Sequence, residues 1–290
     1  MLFSQCRTGP TMAALHVGRR SLEGQYRDRT KALLELAVDL PVRPSSDQIH
    51  DLRVTARRLQ MIRRLLPREV RGSQGFRRFG FALKSVLRAT SQLRDLDTLM
   101  DTLESHKTNL PRELLVTLEN QRSDAAVRAK AATDVLAEVP APEFDSSRLK
   151  GKRLTKRLKK RVSKSRNSAA GLMAQVLQNE SKVVELHTLR KDVKRMRYLL
   201  ELADGSPREL PSLTKWQESL GAIHDIDVAI AYLEGSRIES RRKAILELQR
   251  IRHSRYLKFV HDYRTGLIEA SDAGNVFPAS LRAAPGLSLV

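Results

Sequence analysis

The chain is poor in several things, and each shortage removes a class of function. Of its 290 residues one is a cysteine, Cys6, so there is neither an intrachain disulfide nor a cysteine-based zinc site. That composition suits a reducing compartment, and a cytoplasmic location is expected. Aromatic residues make up 4%, too few to build stacking platforms for unpaired bases. No window approaches the roughly 18 consecutive apolar residues of a spanning helix, and the N-terminus lacks the apolar run of a secretory signal; no membrane partner is expected. Phosphate-loop, GxSxG and HExxH patterns are missing, so no catalytic residues, cofactor or metal are expected. Period-two apolar alternation with hairpin signals is absent too, which leaves helices to form the fold.

Acidic residues are outnumbered. Lys and Arg total 53 against 33 Asp and Glu, a formal net charge of +20 with a sequence pI near 10.6. Self-repulsion of that size is tolerated when the partner is a polyanion: nucleic acid, an anionic membrane or a phosphate polymer. With few aromatics, charge must do most of the binding.

The cations are ordered. His187 to Tyr198 reads HTLRKDVKRMRY, and at about 100° per residue His187, Arg190, Lys194, Arg197 and Tyr198 fall on one side of a helix. Leu189, Val193, Met196, Leu199 and Leu200 fall on the other, as a core stripe. HDLRVTARRLQM repeats the design: His50, Arg53, Arg57 and Met61 face away from Leu52, Ala56, Leu59 and Ile62. The copies are 187 − 50 = 137 residues apart. A second pair, LRDLD from Leu93 and IHDIDV from Ile223, recurs at 223 − 93 = 130. Two motifs in the same order at nearly the same offset indicate an internal duplication.

Taken in order, residues 1–11 form an N-terminal extension. The first 22 residues carry Arg7, Arg19 and Arg20 with no acid before Glu23, which mimics an organelle transit peptide, while Met12 offers an alternative start. A helix from about Thr11 ends before Pro41 and Pro44. Ser45, Ser46 and Asp47 offer N-caps for the next, which stops at Pro67. After a Gly72–Gly75 turn, helices are expected over about 76–105 and from Pro111 to about Glu138. Pro140–Ala141–Pro142 divides a first half, 12–139, from a second, 140–270. The second half repeats the order with helices over about 149–178, 187–203, 209–233 and 237–268. The tail, 271–290, is expected to be disordered. Within the first helix of each half, Arg20 and Arg27 correspond to Arg157 and Lys164 at the 137 offset. Arg153, Arg157 and Arg161 recur every fourth residue, as do Lys156, Lys160 and Lys164, a spacing at which like charges repel and which asks for something negative alongside.

HxxRxxxKRxRY at His187–Tyr198, HxxRxxxRR at His50–Arg58 and the two LxDxD-like elements together resemble the CHAD family, the conserved histidine α-helical domain, over roughly residues 12–268. The resemblance implies an all-α fold of two pseudo-symmetric antiparallel helical bundles. It further implies a basic surface or central pore that binds inorganic polyphosphate without catalysis, and association with polyphosphate granules. The first half departs from the second, with Gln60 in place of Arg197, Met61 in place of Tyr198, and Arg94 where the second has His224.

The residues expected to meet polyphosphate are Arg20, Arg27, His50, Arg53, Arg57 and Arg58 in the first half. In the second they are Arg153, Arg157, Lys160, Arg161, Lys164, His187, Arg190, Lys191, Lys194, Arg195 and Arg197. Arginine grips phosphate through two parallel donors, lysine supplies a compact charge and imidazole donates to an oxygen. Arg58, Lys191 and Arg195 lie at the flanks, where neighbouring carboxylates compete for them. Asp95, Asp97, Asp225 and Asp227 suit either a hard cation or salt bridges that orient the arginine stripe; the salt bridges are favoured. Nucleic acid is the rival partner, since a basic surface meets its electrostatic requirement.

Overall fold

The computed structural model describes residues 15–106, 111–205, 207, 209–236 and 241–269. The extension at 1–11, the tail at 271–290 and the start of the last expected helix at 237–240 lie outside the described residues. Those described form nine α-helices and no strand: α1 (Arg19–Val38), α2 (Ser46–Leu65), α3 (Arg68–Gly72), α4 (Gln74–Ser105), α5 (Arg112–Glu138), α6 (Gly151–Gln178), α7 (Val183–Leu200), α8 (Leu210–Gly235) and α9 (Arg241–Glu269). A 3-10 turn at Ser146–Arg148 precedes α6. The all-helical expectation holds. No described helix is long and apolar enough to cross a membrane.

Local chemistry sets the helix ends. The Ser45 hydroxyl accepts from the Gln48 amide at 3.2 Å and the Gln48 side chain accepts from the Ser45 amide at 2.9 Å. This reciprocal cap satisfies two amides that the first turn would otherwise leave unpaired. Pro67 separates α2 from α3, a five-residue helix in a stretch to which the sequence reading assigned no element. After α7 the chain turns through Gly205 at φ 77°, a left-handed conformation that glycine adopts at no steric cost.

Two compact units emerge. Among the described residues, one comprises those within Gly18–Leu154 and Val228–Gln249; the other comprises those up to Val17, within Thr155–Asp227, and from Arg250 onward. In the first unit α1 packs on α2, α2 on α4, α4 on α5 and α5 back on α1, which closes a ring of four helices. Its core includes Leu22, Leu33, Ile49, Leu52, Leu59, Phe79, Leu83, Leu93 and Leu118. The scarce aromatics are pooled: Tyr26, Phe76 and Phe144 sit with ring centroids 5.4 to 6.2 Å apart. Burial pushes the Tyr26 hydroxyl up to about 12. At Gly80 a Cβ would lie 1.9 Å from Arg63 Nη2. Its absence lets that guanidinium lie against α4 and donate to Phe76 O at 2.7 Å.

Two side chains of α2 depart from the expected stripe. Arg53 and Met61 are buried rather than turned away from the core, because α2 packs against both α1 and α4, and two neighbours bury a wider arc than one. Arg53 Nη1 donates to Leu87 O at 2.9 Å and to Thr90 Oγ1 at 2.8 Å. Replacing Arg53 by Met keeps the apolar stem and removes those charge-assisted bonds. We expect a loss of about 1–3 kcal/mol in urea unfolding; an unchanged midpoint would show that the bonds add nothing.

The second unit has its own core, from Leu158, Val162 and Met173 of α6 through Leu189, Val193 and Met196 of α7 to Leu213 and Ile223 of α8 and Phe259 of α9. Trp216 packs on Tyr263 with centroids 5.5 Å apart. The Tyr256 hydroxyl donates to Val176 O at 2.8 Å, and Arg166 reaches Glu209 at 3.6 Å. These polar ties join α6 to the segment before α8 and to α9.

Candidate anion-binding site

Helix α7 buries Leu186, Leu189, Val193, Met196, Leu199 and Leu200. The opposite arc holds His187, Arg190 and Lys194, half-buried, with Lys191 exposed beside them. Tyr198, expected on the cationic side, is buried instead. Its ring underlies Arg197, whose guanidinium carbon is 5.0 Å from the centroid, and Lys194, whose Nζ is 6.0 Å away. A negative ring face at that range attracts a cation and helps to hold both side chains along the helix.

The imidazole of His187 meets that of His224 on α8. The two Nδ1 atoms are 3.0 Å apart, with ring centroids 4.4 Å apart. Burial is the largest influence on both rings, and Lys191 and Arg190 add to it at His187, whose pKa is lowered. At His224 burial, then Arg190, His187, Lys191 and Lys194, bring the pKa down to about 3. A locus where local charge resists the arrival of a proton is one that welcomes an anion. His224 was not among the residues expected from the motifs. The available signal was register, since 224 − 130 = 94 aligns it with Arg94.

Beneath the pair lies a tie made twice in the chain. Arg252 donates through Nε to Asp227 Oδ1 and through Nη2 to Glu180 O at 2.9 Å, just ahead of α7. In the first half Arg122 donates through Nε to Asp97 Oδ1 and through Nη2 to Pro44 O, each at 2.7 Å, just ahead of α2. Both arginines stand 25 residues after their aspartate, as 122 − 97 and 252 − 227 show. Burial raises the pKa of both carboxyls, and the paired arginines oppose that rise. Of the four aspartates expected to form salt bridges, Asp97 and Asp227 do so, but they hold arginines of α5 and α9 rather than the stripe on α2 or α7. The repeated tie supports the internal duplication.

The other expected residues fall into distinct settings. Arg195 is committed to Asp192, a buried carboxylate three residues back, and Arg197 lies 3.7 Å from Glu201. Arg153, Lys160 and Lys164 are exposed along α6, with Arg157 and Arg161 half-buried. Arg20 and Arg27 are exposed on α1, and Arg27 lies 3.4 Å from Asp28. His50 is exposed, Arg57 and Arg58 are half-buried, and Arg53 points inward. Arg94 donates to Ser46 Oγ at 2.6 Å. The structure thus gathers His187, Arg190, Lys191, Lys194 and His224 at one place.

Comparison with known proteins adds the family. A family model described as the CHAD domain matches residues 25–234. Among solved structures the chain is similar to the CHAD domain from the plant Ricinus communis, with a TM-score of 0.55 at 16% identity. That match covers 91% of this chain and 90% of that one, and at such identity it speaks for the fold. No curated protein matches. With two thirds or more of its length covered by the family model, and with the helical fold to go with it, the chain belongs to the CHAD domain family.

Proposed function

We propose that this protein binds inorganic polyphosphate through its Arg/Lys/His surface, without hydrolysing it, and that the binding associates it with polyphosphate granules in the cytoplasm. The observation that carries the proposal is the cluster on α7 and α8. Arg190 and Lys191 oppose the protonation of both imidazoles, and Lys194 opposes that of His224. The cationic row on α6, Arg153 to Lys164, offers further charge at a rise of about 1.5 Å per residue, suited to a ligand that carries a charge on every unit. Half-burial of Arg190, Lys194 and His187 favours a thin, flexible polyanion over a rigid duplex, which cannot follow recessed cations. Membership of a family known for polyphosphate binding points the same way.

The test is competition between long-chain polyphosphate and random-sequence duplex DNA at matched phosphate concentration and near-physiological salt. Polyphosphate is expected to displace DNA, with an affinity that falls steeply as salt rises because each contact releases condensed counterions. Equal or tighter binding of DNA would favour the nucleic-acid alternative. In the same preparation no orthophosphate release from polyphosphate or nucleoside triphosphates is expected, with or without magnesium. Release that vanishes on changing Asp225 and Asp227 would overturn the noncatalytic assignment.

A further inference from the structure

We propose that His187 and His224 act as one proton-sharing unit, which takes up a single proton as a phosphate chain settles against Arg190, Lys191 and Lys194. His224 thereby becomes a ligand-contacting residue, and binding tightens as pH falls. The inference rests on the anion-binding role proposed above and specifies how that same site responds to protons.

The geometry supplies the reason. Two Nδ1 atoms 3.0 Å apart are at hydrogen-bond distance, so one must carry a proton and the other must accept it. In the neutral pair the ring that donates through Nδ1 has a bare Nε2, which repels a phosphate oxygen, while the accepting ring carries Nε2–H. The neutral pair therefore offers one donor to an anion. Adding one proton fills the bare Nε2 and leaves the Nδ1 contact intact, so the singly protonated pair offers two donors and a positive charge. A second added proton would set two N–H groups against each other. The pair is therefore built to change by one proton.

The surroundings decide when that proton arrives. From α7 the rings face Arg190, Lys191 and Lys194; from α8 Asp227 acts on His187; and α9 contributes Arg252, which holds Asp227. Without ligand, burial and the cations keep both rings below the ordinary imidazole value, and the opposing pull of Asp227 is shared with Arg252. A bound polyanion offsets the three cations and raises the proton affinity of the pair. The sign follows. A group whose pKa is higher in the bound state strengthens binding below that pKa and loses the contribution as pH rises through it. The corresponding position of the first half, Arg94, is a permanent cation, so the two halves differ in whether their charge at this place depends on pH.

The experiment is calorimetric titration of the full chain with long-chain inorganic polyphosphate, in two buffers of different ionisation enthalpy at one pH, repeated across the range from neutral to mildly acidic. Chain ends are a small share of such a ligand, so its own titration contributes little. Proton uptake approaching one per pair is expected, with affinity rising by roughly three- to tenfold between about pH 8 and pH 6. His187→Gln and His224→Gln should each remove the pH slope, and His261→Gln, an exposed site on α9, should keep it. As a readout that needs no variant, nitrogen NMR of the imidazoles should show both Nε2 atoms protonated in the complex. Binding with equal enthalpies in the two buffers and no pH slope, or a bare Nε2 in the complex, would overturn this inference and leave polyphosphate binding standing. Absence of polyphosphate binding at every pH would overturn both.

Discussion

Changing Arg190, Lys191 and Lys194 together to Gln is expected to weaken polyphosphate binding by at least about tenfold. Charge-assisted contacts are worth roughly 1.5–3 kcal/mol each, and these three cations surround the histidine pair. Lys191 is exposed and the other two half-exposed, so most of that value must be discounted for solvent screening. A residue of about 1.4 kcal/mol over the three side chains already amounts to tenfold. The comparison is Arg242, Lys243 and Arg255 changed to Gln, three exposed cations of α9 whose loss alters net charge equally. If both variants remain folded by circular dichroism and bind equally well, diffuse charge suffices and the α7 cluster is not the site.

Arg252→Leu is expected to cost about 3–5 kcal/mol of stability, because it strands the carboxylate of Asp227 away from water without its partner. Asp227 and Arg252 keep only 13% and 10% of their side-chain surface exposed, so solvent cannot replace the lost interaction. Adding Asp227→Asn to Arg252→Leu removes the stranded charge and should recover a large part of the loss. The pH dependence has a definite sign. Burial raises the folded-state pKa of Asp227 against the pull of Arg252, and with Arg252 gone the rise grows. A carboxyl raised in the folded state favours folding below its unfolded value and loses that contribution as pH climbs through the folded one. The deficit of Arg252→Leu should therefore shrink on acidification from neutral pH. Urea unfolding of the unaltered protein and the two variants measures all of this; a deficit below about 1 kcal/mol would show that the pair behaves like a surface ion pair.

The helical class, the caps at Ser45 and the proline boundaries were legible because each depends on residues a few positions apart. The α7 stripe was legible for the same reason, as one helix carries His187, Arg190 and Lys194 whatever surrounds it. Arg53 was misplaced because angular projection treats a helix as having one buried side, whereas α2 is covered by both α1 and α4. The partners of Asp97 and Asp227 were missed since they lie on the next helix, 25 residues on, and helix-to-helix register is a tertiary property. His224 was hidden for that reason too. Only packing of α8 on α7 brings its Nδ1 to His187, and in the linear sequence it reads merely as a departure from Arg94.

The paired ties of Arg122 and Arg252 place unequal demands on the residues that form them. Each guanidinium grips a carboxylate side chain on one helix and a main-chain oxygen ahead of another, Pro44 in one half and Glu180 in the other. A peptide oxygen belongs to every residue type, so the receiving position places no demand on identity, and proline and glutamate serve it alike. The aspartate and the arginine have no such latitude, and both halves carry the same two. Chemistry thus sets the demand at each position: any residue serves where the backbone is the partner, a particular one where a side chain is.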